Sequence, residues 1–117
     1  MSTALSNSAF QILLALTVGE RHGYAIMKDV EAQSEGAVTM GPGTLYAALK
    51  KLLAAGLIAE TEDRPDPALD DQRRRYYRIT PSGLSAVRAE AHRLSRVAER
   101  AGARLAGAAP AFGGSRP

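Results

Sequence analysis

The chain contains no cysteine. That excludes disulfides and thiolate metal sites, and nothing points to an oxidising compartment. Long hydrophobic runs are missing too. The most apolar stretch, Phe10 to Val18, is too short to span a bilayer. No Lys or Arg precedes it, so it makes a poor signal peptide. A soluble cytoplasmic protein with no membrane partner is expected. Catalytic spacing is also absent. There is no useful Ser/His/Asp order, no phosphate-cradling loop after a strand and no metal-ligand spacing. Asp66, Asp70 and Asp71 lack the ligand count and glycine of a calcium loop. No enzyme activity, cofactor or metal is expected.

What is present suits one small domain. The 117 residues are 45% hydrophobic and 23% charged. At this size a second copy helps stability. The net charge of +3 permits a nucleic-acid partner without demanding one. Its distribution says more. Residues 1–80 hold nine Lys/Arg against ten Asp/Glu. Residues 81–117 hold six Arg against Glu90 and Glu99. In the near-neutral first part, basic residues cluster as Lys50-Lys51 and Arg73-Arg74-Arg75.

The clearest element runs from Pro42 to Ala55. Pro42 suits the first helical position, where its missing N–H costs nothing. Gly56 suits the left-handed residue that ends a helix. Leu45, Ala48, Leu49, Leu52 and Leu53 share one face. Gly43, Thr44, Ala47, Lys50, Lys51 and Ala54 share the other, which is small, hydroxylated, basic and free of acids. Such a face can approach a phosphate backbone and reach into a groove. The plainer reading is an amphipathic helix with solvated lysines.

Two helices precede it. Ser6-Asn7-Ser8 offers caps for a first helix over Phe10–Val18, apolar nearly all round and ended by Gly19. His22-Gly23-Tyr24 opens a second, to about Ser34, with Tyr24, Met27 and Val30 on one face. His22 reads as a helix-start residue rather than a catalyst or ligand. Two strands follow, Leu57–Asp63 and Arg73–Thr80. The loop between them contains Pro65-Asp66-Pro67, which cannot continue a sheet. Thr80-Pro81 caps and starts a last helix. Helix, helix, helix, strand, loop, strand, long helix describes a winged helix-turn-helix. The fold class is mainly α (α+β), with a two-stranded β wing and a long C-terminal helix. Residues 8–80 would form the DNA-binding domain, 81–106 the dimerisation helix and 107–117 a disordered tail.

The last helix carries Leu84, Val87, Ala91, Leu94, Ala98, Ala101 and Leu105 at alternating spacings of three and four. That is an a/d seam, and a narrow apolar stripe on a small domain wants a partner. Its alanines make it thin, so the first helix, through Phe10, is expected to join the interface. The alternative is that the helix packs back on its own domain. His92 lies off the seam and is expected to be solvated.

His22-Gly23-Tyr24, Gly43-Thr44-Leu45-Tyr46, Leu49-Lys50-Lys51-Leu52, Gly56-Leu57-Ile58 and Tyr77-Arg78-Ile79-Thr80-Pro81-Ser82-Gly83 appear in this order. Together they resemble the PadR family of bacterial transcriptional regulators, over roughly residues 8–106. The resemblance implies a winged-helix homodimer that represses transcription and dimerises through its C-terminal helix. It also implies release from operator DNA, commonly the protein's own promoter, by a small effector or a stress signal. The length points to the short branch with a single C-terminal helix.

The expected DNA contacts follow from the residues. The helix opening at Pro42 offers backbone N–H groups near Gly43 and Thr44 to a phosphate. Lys50 and Lys51 add phosphate contacts, and Thr44 and Ala47 face the groove. Tyr46 either touches DNA or braces the core edge against the second helix, and Tyr24 has the same two readings. Arg73, Arg74 and Arg75 either touch phosphate or minor groove from the wing, or pair with Asp66, Asp70 and Asp71. Two departures from the family stand out. The wing tip is stiff and acidic rather than glycine-containing and basic. No tryptophan is present for an aromatic sandwich at the dimer interface, where Phe10 and Phe112 are the other aromatic candidates. A winged-helix protein-interaction module without sequence-specific DNA binding is the alternative function.

Overall fold

The computed structural model describes residues 5–61 and 75–108. The element order is α1 (Asn7–Leu16), β1 (Arg21–His22), α2 (Gly23–Gln33), α3 (Pro42–Ala54), β2 (Ile58–Thr61), β3 (Tyr76–Ile79) and α4 (Pro81–Ala108). The wing tip, Arg73, Arg74 and Phe112 lie outside the described residues.

The helix starts follow local chemistry. Helix α1 begins before Phe10 because Ser6 caps it, accepting from the Ala9 N–H at 3.1 Å. It ends at Leu16, where the Thr17 hydroxyl donates to the Leu14 carbonyl at 2.7 Å. His22 caps α2 through Nδ1, which accepts from the Ala25 N–H at 3.3 Å. Pro42 opens α3, and Gly56 follows it at φ 76°, the left-handed conformation expected from its place.

The core is one aliphatic cluster. Ile12, Leu13 and Leu16 of α1 meet Ile26 and Val30 of α2 and Leu45, Leu49 and Leu52 of α3. Tyr24 does not join them: Ile26 takes the inward place, and Tyr24 is 47% exposed. Ile58, Tyr77 and Val87 close the cluster from the wing and α4.

The sheet has three antiparallel strands in the order β1-β3-β2. The third strand corrects the two-stranded expectation. Arg21 and His22 pair with Tyr77 and Tyr76. Two residues carry no periodicity, so this pairing leaves no signal in the sequence. Arg21 is held by Asp29 of α2 at 3.1 Å.

Helix α4 spans 28 residues, about 42 Å. Thr80 caps it, accepting from the Gly83 N–H at 3.1 Å. Its first turns belong to the domain: Leu84 packs on the core and Val87 is buried in it. Those two members of the expected seam are thus covered within a single chain. Glu90 closes this buried stretch. Its carboxylate accepts from Arg93 Nε at 3.1 Å and from the other guanidinium edge. That pairing with Arg93 holds the Glu90 carboxyl below its ordinary range. From Ala91 to Gly107 every residue is exposed.

Gly83 sets how closely α4 docks. A methyl there would overlap the Leu57 carbonyl oxygen and press on Ile79. Backbone oxygen cannot swing aside, so Gly83→Ala should cost about 1–3 kcal/mol. Gly102 sits in the exposed part of α4 with nothing near its absent Cβ. Gly102→Ala should instead stabilise by about 0.5–1 kcal/mol. Urea unfolding of the two variants checks both signs.

Candidate nucleic-acid interface

Helix α3 presents the two faces its sequence describes. Leu45, Leu49 and Leu52 are buried, while Ala48 and Leu53 pack at the cluster edge. Pro42, Gly43, Thr44, Ala47, Lys50, Lys51 and Ala54 are all exposed. The outward face keeps small residues and two ammonium groups, with no acid of its own.

The two lysines of the outer face border different clefts beside α3. Lys51 borders a cleft against the start of α1, with Thr44, Ala47, Ser6 and Ser8. Lys50 borders a second cleft against the wing, with Tyr46, Leu53, Glu60, Arg75 and Tyr77. Ser6 and Ser8 were not singled out as site residues. Their place beside Lys51 depends on how α1 crosses α3, which their own sequence does not encode.

Tyr46 turns inward, against the core. Its hydroxyl occupies the space a Cβ on Gly23 would need. Of its two readings, the bracing one describes its position. The glycine of His22-Gly23-Tyr24 is therefore a packing residue, which lets α2 and α3 approach. Tyr24 stays on the surface with Lys28 Nζ 5.4 Å from its ring centroid. That cation, one turn along α2, was missed because the sequence grouped Tyr24 with Met27 and Val30 and left its facing open.

Arg75 does not stand free. Its guanidinium meets the Glu60 carboxylate at 3.2 Å. Glu60 lies opposite Tyr77 in the β2–β3 ladder, and Arg75 is two residues before Tyr77. The ion pair is thus a cross-strand diagonal. The acids expected to compete for the arginines lay in the wing tip. For Arg75 the partner is on β2. Tyr77 beneath them is buried, and burial, aided by Glu60, pushes its hydroxyl up to about 12.

The expected dimer residues divide. Leu84 and Val87 are covered, and Phe10 is half-buried against the core. Ala91, Leu94, Ala98, Ala101 and Leu105 are exposed, with Leu94 at 38% and Leu105 at 60%. Val97, 45% exposed, was missed. At 100° per residue it joins Leu94 and Ala101, outside the strict three-four count. This stripe continues the face that buries Gly83, Val87 and Glu90.

The chain matches the transcriptional regulator PadR-like family over residues 12–89. That match covers most of the chain, and the protein belongs to this family of transcriptional regulators, not of enzymes. Its fold is of the winged-helix type. A transcriptional regulator from Clostridium thermocellum, Cth-833, has the same fold. The TM-score is 0.68 at 23% identity, over 87% of this chain and 99% of that one. BpsR of Bordetella bronchiseptica, solved for the regulation of its DNA binding by 6-hydroxynicotinic acid, is also similar in fold. Its TM-score is 0.64 at 21% identity, covering 100% of this chain and 72% of that one. A curated relative, an uncharacterised 37.1 kDa protein in transposon TN4556 of Streptomyces fradiae, is 36% identical over 89 residues. Those residues are 76% of this chain and 23% of the relative, so the chain spans under a quarter of its length. Among the described residues no helix is long and apolar enough to cross a membrane.

Tyr77 gives a pH prediction. Its hydroxyl titrates near 10 when unfolded and about 12 when folded. Between those values the unfolded chain binds fewer protons, so stability falls as pH rises. Tyr77→Phe should show a shallower loss of melting temperature between pH 10 and 12 than the parent. Parallel losses in the two proteins would mean that Tyr77 ionises freely.

Proposed function

We propose that this protein is a homodimeric repressor that sets α3 in the major groove of its operator and is released by a small effector. The observation that carries this is the acid-free outer face of α3, with a lysine at each side. Thr44 and Ala47 lie where they meet base edges. The Pro42–Gly43 start of α3 and Lys51 hold one stretch of backbone, and Lys50 another, beside the Arg75–Glu60 pair. Two copies join through the stripe from Ala91 to Leu105, with Phe10 of α1 at its edge. Pairing sets two recognition helices about 34 Å apart, one turn of DNA. Arg73 and Arg74, outside the described residues, are further candidates for DNA contact. Effector release is supported by the ligand-regulated DNA binding of BpsR. No tryptophan lines the stripe, so the effector is not held in a tryptophan sandwich.

The test is fluorescence anisotropy of the protein against the DNA upstream of its own gene, with a scrambled duplex as control. Selective binding with a steep salt dependence is expected. Lys51→Ala should weaken both complexes and make the log–log salt slope shallower by roughly 0.9 per protomer. An unchanged slope removes Lys51 from the DNA face. A second test addresses assembly. Leu94→Asp with Val97→Asp should convert the protein to monomer in light scattering, with its helical circular dichroism retained. A dimer that survives both charges places the interface elsewhere.

A further inference from the structure

We infer that Glu60 is a built-in attenuator of DNA affinity, withholding the Arg75 guanidinium from the phosphate backbone. The inference rests on the reading of α3 and the wing as the DNA face. Glu60 is exposed on β2, and its side chain keeps 30% of its accessible surface. Arg75 keeps 50% and lies 3.2 Å away. Both border the cleft between α3 and the wing, together with Lys50. A backbone strand running past α3 on that side meets Lys50 and Arg75, and Glu60 between the helix and the wing.

The sign follows from distances. A phosphate bound to Arg75 would sit within a few ångströms of the Glu60 carboxylate. At that range two like charges repel by about as much as one surface ion pair attracts. Binding must also break or share the existing pair. Glu60 does help to order the Arg75 side chain, but exposed ion pairs contribute little to such ordering. The repulsion therefore exceeds the positioning benefit. The effect is large for this protein because residues 1–80 carry no net excess of cations. Where few cations face DNA, masking one removes a substantial share of the electrostatic attraction. The part of binding it suppresses is the sequence-independent part, because phosphate contacts carry no base information. Glu60 thus lowers affinity for all duplexes and leaves discrimination by α3 in place.

The test compares parent, Glu60→Gln, Arg75→Gln and the double variant. Each full-length protein is titrated against a random-sequence 30-base-pair duplex and the upstream duplex over a range of salt. Glu60→Gln should bind both duplexes about two- to fivefold tighter per engaged protomer. Its salt slope should steepen by roughly 0.9 per protomer. The gain should vanish in the Arg75→Gln background, because there is no guanidinium to release. Parent binding with no gain in Glu60→Gln overturns the attenuator and leaves the DNA-binding reading intact. An equal gain with and without Arg75 also overturns it, because Glu60 would then act only as general charge. Failure of all four proteins to bind either duplex would sink both readings together.

Discussion

Four parts of this protein meet at one junction, and the rest of the structure hangs from it. Gly56 ends α3, Leu57 leads into β2, Thr80 follows β3 and Gly83 lies in the first turn of α4. The Thr80 hydroxyl donates to the Gly56 carbonyl at 2.7 Å, and its N–H donates to the Leu57 carbonyl at 3.1 Å. Its side-chain oxygen also caps α4. Gly83 lets α4 press against the Leu57 backbone. The end of the helix proposed to read DNA, both ends of the wing and the start of the long helix are therefore tied through backbone atoms and the Thr80 hydroxyl. Backbone oxygens cannot rotate away as a side chain can, so the angles between these parts are well defined.

In the proposed dimer, that coupling would give an effector a route to the proposed DNA face. A ligand that changes how two α4 helices pair would tilt α4 at its root. The root is bonded to the residues that end α3 and begin β2, so tilt passes to α3 and the wing together. Electrostatics works in a different way. Lys50 and Lys51 border different clefts beside α3, and Arg75 is bound to Glu60. Among the described residues the proposed DNA face has few cations, so small changes in their geometry or pairing would weigh heavily on affinity.

Sequence reasoning reached the helices and their faces because local rules govern them. The proline start and glycine stop of α3, the Thr80-Pro81 start of α4 and the two faces of α3 depend only on neighbours within a few residues. The long-range features were less legible. Strand β1 is two residues long and exists only because β3 lies beside it. The first helix begins earlier than its apolar run suggests, because a single serine cap outweighs the pattern. Tyr24 and Tyr46 were each read as able to face either way. An amphipathic ring fits both a core edge and a surface, and the neighbour opposite decides. For Tyr46 that neighbour is Gly23, and for Tyr24 Ile26 claims the inward place.

The sequence by itself determined the helices, the winged-helix order, the acid-free face of α3 and an apolar stripe along α4. These follow from periodicity, capping and backbone preference, which act over one or two turns. Only the tertiary structure decided how that stripe is shared, with Leu84 and Val87 inside the domain and Leu94, Val97 and Leu105 left open. It likewise decided that Arg75 pairs with Glu60 and that Tyr46 fills the space above Gly23. Each of these joins residues distant in the chain, and packing and charge act through space.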